Sequence, residues 1–228
     1  MRSTTCWSSG WRATAQPRRA DVATKTRIQV ENEARILDAA VEVFATYGYH
    51  GATVDEVAER AGISKPNLHY YFERKRDLYL AVLRRTLDSW LAPLRELDRN
   101  GDPEIELANY IAQKVDLSRR YPAASRVFAN EIVQGAPFLK RYLQTNLRGV
   151  VERKAAVIQH WVDEGKLAPV DPYHLIFLIW AATQHYADFA AQVKAVMNTP
   201  RLTPAHFRKA GHSLARIILR GVLAEDAR

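Results

Sequence analysis

Between Lys65 and Tyr71 the sequence Lys-Pro-Asn-Leu-His-Tyr-Tyr packs five groups able to bond bases or phosphates into seven residues: Lys65, Asn67, His69, Tyr70 and Tyr71. Leu68 is the one inward anchor, so a helix here buries little and turns its polar side outward. A helix has the width of the DNA major groove, where Lys suits the guanine O6/N7 edge and Asn the adenine N6/N7 edge. Lys75 follows near the start of the next helix, where its ammonium and exposed backbone N–H groups can both meet a phosphate. A second constellation lies downstream. Gln184 stands four positions after Trp180, which puts both on one helix face. A primary amide both donates and accepts, and an indole face stacks on a flat ring, so the pair suits a neutral, flat, polar molecule. His185 and Tyr186 can add a hydrogen bond, and Trp90 and Phe128 can line apolar walls. The aromatic richness around Trp90, Phe128, Trp161 and Trp180 also admits a larger apolar ligand.

The elements that must position these groups read as helices throughout, with no alternating Val/Ile/Thr pattern and Asn-Gly or Asp-Gly turn to signal a strand. From Val30, Ile36, Leu37, Ala40, Val41, Val43 and Phe44 recur at three and four, and Gly48 ends that helix. Thr53 with Glu56 forms a capping box for a short second helix. Ala61-Gly62 supplies a tight turn, Ser64 caps the third helix, and Pro66 is tolerated in its first turn. Two short helices joined by a Gly-containing turn are the helix-turn-helix arrangement. Phe72 and Leu78 read as core.

Bulk charge supports a nucleic-acid partner only weakly. The chain has 228 residues and a net charge of +8, but residues 1 to 28 alone contribute +5 and residues 29 to 80 carry −3. Residues 1 to 28 have no helical or alternating period and read as a disordered basic tail, lacking the apolar stretch of a secretion signal. One Cys excludes an internal disulfide framework and fits a reducing compartment. The longest apolar run, Leu175 to Ala182, is far short of the roughly 20 residues of a membrane helix, so a soluble, cytoplasmic chain is expected. An enzyme would need a nucleophile with its base or a metal cluster. His185 and Asp188, three apart, lack a third ligand, so no metal, cofactor or catalytic residue is expected.

The run from Ile36 to Val82 resembles the DNA-binding domain of the TetR family of bacterial regulators, through Ile36 to Ala40, Phe44 to Thr53, Val57 to Ser64 and Tyr70 to Lys75. The resemblance implies an all-α fold with an N-terminal three-helix DNA-binding domain, placed at residues 29 to 75, and a larger helical ligand-binding and dimerisation domain, residues 76 to 228. It implies Thr53, Lys65, Asn67, His69, Tyr70, Tyr71 and Lys75 as DNA contacts. Lys65 and Asn67 depart from the residues common at those places, so the operator sequence is not carried over. Further similarity over about residues 30 to 197, including Ser89 to Leu94, Tyr121 to Arg126, Gly165 to Pro169 and Thr183 to Phe189, looks like a pyrimidine-utilisation regulator of that family. It implies a repressor released from operator DNA by uracil or thymine. Uracil presents C=O, N–H and C=O along one edge, which the amide of Gln184 can match.

The remaining helices are expected at about 76 to 94, 104 to 120, 123 to 134, 137 to 164, 172 to 197 and 204 to 223, about nine in all. Leu175 to Ala182 is apolar right round and must be covered on more than one side. With the amphipathic last helix (Leu214, Ile217, Ile218, Val222) it predicts a four-helix homodimer interface from the last two long helices. Phe177 and Phe189 read as core, and His206 and His212 as surface or packed residues.

Overall fold

The computed structural model describes residues 26–224, all helical or connecting, with no strand among the described residues beyond one antiparallel bridge between Leu167 and Leu223. Residues 1–25 of the expected tail lie outside them. Its last three residues are ordered instead: Thr26 caps α1 (Arg27–Gly51) through a capping box, its hydroxyl accepting from the Gln29 N–H while the Gln29 side chain accepts from the Thr26 N–H at 2.8 Å. Gly48 breaks α1 where the sequence placed its end, with φ 67°. α2 (Val54–Ala61) and α3 (Lys65–Tyr71) follow, then the long α4 (Lys75–Glu96), α5 (Pro103–Arg120) and α6 (Pro122–Val133). The helix expected over 137 to 164 is divided into α7 (Lys140–Tyr142), a π-helical turn (Leu143–Leu147) and α8 (Arg148–Asp163). That expected over 172 to 197 breaks at Phe189 into α9 (Pro172–Asp188) and α10 (Ala190–Val196), with no Pro or Gly to signal it. α11 (Pro204–Val222) closes the described chain.

The apolar stripe of α1 packs Ile36, Ala40, Val43 and Phe44 against Val57 and Ala58 of α2, Leu68 of α3 and Leu78 and Val82 of α4. Phe72 and Leu78 are core, as expected. The same core runs on through Leu91 and Leu94 of α4, Leu107 and Ile111 of α5, Ile158 and Trp161 of α8, and Ile176 and Ile179 of α9. Trp161 is therefore core and not a wall of any ligand site; its indole N–H donates to the Arg99 carbonyl at 2.9 Å. α9 turns Leu175, Ile176, Ile179 and Ala187 inward, while Tyr173, Phe177 and Leu178 stay exposed. Phe177, expected in the core, is 48% exposed, because the helices packed on α9 cover only one side of it.

Candidate nucleic-acid interface and ligand cavity

The turn that aims α3 depends on Gly62, whose φ of 64° is a left-handed conformation that favours Gly. Arg35 reaches across from α1 and donates to the Ala61 carbonyl at 2.6 Å. Ser64 caps α3, accepting from the Asn67 N–H, and fully buried Leu68 anchors it. Lys65, Asn67, His69 and Tyr70 are exposed on the opposite side. Lys65 pairs with Asp55 of α2 at 3.0 Å, an exposed ion pair of the kind worth only about 0–1 kcal/mol and readily exchanged for a phosphate or base. Tyr70 and Tyr71 form an edge-to-face pair, ring centroids 5.2 Å apart. Gln29 donates to the Tyr70 hydroxyl (3.0 Å) and Asn32 to that of Tyr71 (3.3 Å), so the first turns of α1 tether the end of α3. The Thr53 hydroxyl donates to Glu56 at 2.8 Å. Lys75 is half-buried against the α1–α2 junction. Its ammonium donates to the Ala52 carbonyl at 2.9 Å and lies 4.8 Å from the Tyr49 ring centroid, drawn to the carbonyl-rich end of α1.

Behind the linking helix α4 lies a cavity of about 640 Å³ walled by α4, α5, α6, the π-helical turn and α9. Trp90, Phe128, Trp180 and Gln184 all line it. His185 and Tyr186 do not, because each step of about 100° along α9 carries them off the face of Gln184. His185 stacks on Phe189 (5.1 Å, 19°) on the exposed side, and Tyr186 packs near Phe207. Phe189, read as core, is a 57% exposed rim residue of the cavity. The wall also holds two ionisable groups: Lys114, which the sequence reading passed over, and Asp188, which it weighed only as a metal ligand beside His185. Lys114 is 2% exposed, and burial pulls its pKa well below the ordinary lysine value, against the opposing pull of Asp188. Burial raises the Asp188 carboxyl, and a hydrogen bond from Ser125 and the charges of Lys114, Arg126 and His185 work against that rise. The Trp180 indole donates to the buried Tyr110 hydroxyl at 2.6 Å, which fixes the orientation of its ring.

Residues 36–82 match the family model for bacterial regulatory proteins of the tetR family, and residues 83–225 that for the C-terminal region of YcdC-like protein. Over 187 residues, 82% of this chain and 88% of the relative, it is 47% identical to the HTH-type transcriptional regulator RutR of Escherichia coli strain K12. The chain belongs to the TetR family. It is a TetR-type transcriptional regulator, and its similarity to RutR runs well beyond the DNA-binding end. The likeness to the HTH-type transcriptional activator FasR of Mycolicibacterium smegmatis, 48% identity, covers only 66 residues, 29% of this chain and 30% of the relative. The ketosteroid transcriptional regulator KstR2 of Mycobacterium tuberculosis shares the fold, with a TM-score of 0.66 at 20% identity over 85% of this chain and 95% of that one.

Within this TetR frame a sequence signal for Lys114 does exist. Leu107, Tyr110, Ile111, Lys114 and Ser118 fall at steps of three and four on the buried face of α5, and a lysine in that register has to be accommodated inside.

Proposed function

We propose that this protein is a ligand-released repressor: a homodimer holds a palindromic operator with two α3 helices, and a pyrimidine such as uracil or thymine in the α4–α9 cavity loosens the grip. The observation that carries the reading is the composition of the cavity wall, where an amide (Gln184), a buried ammonium (Lys114) and a carboxylate (Asp188) converge between Trp180 and Phe128. An imide edge of C=O, N–H and C=O asks for donors to its two carbonyls and an acceptor for its N–H. Lys114 and Gln184 supply the donors, Asp188 or the Gln184 carbonyl the acceptor, and the Trp180 face the stacking surface. The 47% identity to RutR supports the same reading.

The alternative is a larger apolar effector, drug-like or an acyl-CoA. The volume favours it, since about 640 Å³ falls within the roughly 300–1,000 Å³ of drug-sized pockets and exceeds the need of one six-membered ring. The wall opposes it: a wholly apolar occupant adds no hydrogen bond to Lys114 and Asp188 and removes from them what water the cavity admits, leaving Trp90, Ser125 and each other as their partners.

On the DNA side, Lys65, Asn67 and His69 are the base readers, and Thr53, Tyr70 and Tyr71 hold the backbone and fix register. Lys75 serves the α1–α2 junction rather than a phosphate. The dimer forms through α9 and α11, burying Tyr173, Phe177 and Leu178 against Ile217, which is 66% exposed in the single chain. That symmetry sets the two reading helices about 34 Å apart. Bound to the chromosome, the regulator works in the cytoplasm. Release follows because the ligand prefers the conformation that does not fit DNA; a coupling of about 1–3 kcal/mol weakens operator binding about 5- to 150-fold.

Calorimetric titration of uracil, thymine and a hydrophobic dye into the purified protein tests the reading. Saturable pyrimidine binding accompanied by operator release supports it. Binding of the dye alone transfers the case to the apolar effector, and duplex affinity indifferent to sequence removes the regulator role altogether.

A further inference from the structure

The wall of the α4–α9 cavity has two chemical sides. Its ionisable and amide groups come from α5 and α9, as Lys114, Gln184 and Asp188, with Asn130 of α6 the one other. What α4 and the π-helical turn add is Leu87, Trp90, Leu91, Leu143 and Leu147, with no charged or amide group among them. These two elements are fastened to each other. Tyr142 directly precedes the π-helical turn, and its hydroxyl donates to the carboxylate of Asp88, the neighbour of Leu87, at 3.1 Å. The Arg84 guanidinium lies 5.4 Å from the Tyr142 ring centroid, one helical turn before Asp88. The leucines of the turn are thereby brought to those of α4 as one apolar surface. Ile132, Val133 and Phe189 also line the cavity and are 40%, 87% and 57% exposed, so it opens to solvent past an apolar lip.

A pyrimidine whose imide edge meets Lys114 and Gln184 has its N3 turned to the α5 and α9 side. The corner of the ring opposite N3 is C6, with C5 beside it. Trp180, oriented by its hydrogen bond to Tyr110 at 2.6 Å, holds the ring flat, so that far edge is directed across the cavity. We infer that the effector of this protein is a pyrimidine bearing an apolar substituent on its C5–C6 edge, which lies along the leucines of α4 and the π-helical turn. The inference rests on the reading of the cavity as a pyrimidine site and narrows it. Uracil itself answers only the polar side: one six-membered ring fills a small part of about 640 Å³ and leaves the leucine side to water, which finds no hydrogen-bond partner there. A wholly apolar chain answers only the other side. A heterocyclic head with a short alkyl or aryl tail meets both, and the apolar lip gives such a tail its way in.

The test is calorimetry on the full-length protein with uracil, 6-methyluracil and 6-propyluracil, run on the wild type and on Leu147→Trp, beside release of a duplex selected from a random library by the wild type. Each carbon buried against the leucines is expected to tighten binding about fourfold, so that 6-propyluracil binds about 50-fold tighter than uracil and releases the duplex at a correspondingly lower concentration. Leu147→Trp fills the leucine side, and within that variant the advantage of 6-propyluracil over uracil is expected to fall to about onefold or to reverse. The wild-type series stands without the variant should Leu147→Trp fail to fold. Uracil that binds while 6-propyluracil binds no tighter overturns the inference and leaves the pyrimidine reading in place. An advantage that survives in Leu147→Trp puts the substituent elsewhere and overturns it as well. Binding of none of the three removes the pyrimidine reading, and the inference with it.

Discussion

The Lys114 ammonium lies 3.7 Å from the centroid of the Trp90 ring, and both residues line the ligand cavity. The indole face gives the charge part of what water would have given it, which is how a lysine is held at 2% exposure. It also means that one face of Trp90 is already covered by the protein's own cation. In the proposed complex, stacking on a flat ligand falls to Trp180, whose ring is held by its hydrogen bond to Tyr110.

That burial has a pH signature. A base whose pKa is lowered on folding binds fewer protons folded than unfolded between its folded value and the ordinary 10.5, so stability rises with pH across that window. The melting temperature of the wild type is expected to gain on that of Lys114→Met as pH is raised from neutral towards about 10. A difference between the two proteins that stays flat with pH refutes a desolvated ammonium.

Gln184 presents its amide from α9 into the cavity and touches neither the reading helix nor the exposed α9 face. Gln184→Ala should keep operator binding and lose the uracil response, with a weakening of about 1–3 kcal/mol in calorimetry from the ammonium and carboxylate left to hold the ring alone. Release at the wild-type uracil concentration would count against this pocket.

Asn67 is exposed on α3, and among the described residues none is hydrogen-bonded to its side chain. Replacing it with Ala should cost about 1–3 kcal/mol at one base pair and relax the preference there, leaving the salt dependence of binding unchanged. Selection from a random duplex library decides it: an unaltered base preference removes Asn67 from the readers.

The outer face of α9 offers Phe177 and Leu178, 48% and 53% exposed, beside Ile217 of α11. A charge placed among them has no partner once two copies meet, so Leu178→Glu is expected to yield monomers by sedimentation, with operator affinity lost and the fold retained by circular dichroism. A variant that sediments as a dimer puts the interface elsewhere.

Much of this molecule is written in short-range pattern. The Thr53 and Glu56 box, the Gly62 turn, the Ser64 cap and the apolar steps of α1 are contacts between residues a few positions apart, so the helix-turn-helix and the exposed chemistry of α3 follow from the sequence itself. Trp90, Phe128, Trp180 and Gln184 were legible as one set because their residue types suit one ligand. The rest turned on which distant helix covers which face, a matter that no local spacing encodes. Packing of α5 against α4 and α9 put Lys114 and Asp188 into the cavity wall, and the rotation of α9 left His185 and Tyr186 outside it. The carbonyls ending α1 drew Lys75 inward, Gln29 and Asn32 met the tyrosines of α3 from about 40 positions away, and one uncovered side of α9 exposed Phe177. Local hydrogen bonds and periodicity determine which helices form, whereas burial, and with it the energetic meaning of every charge and aromatic ring, is decided only when helices remote in sequence close upon one another.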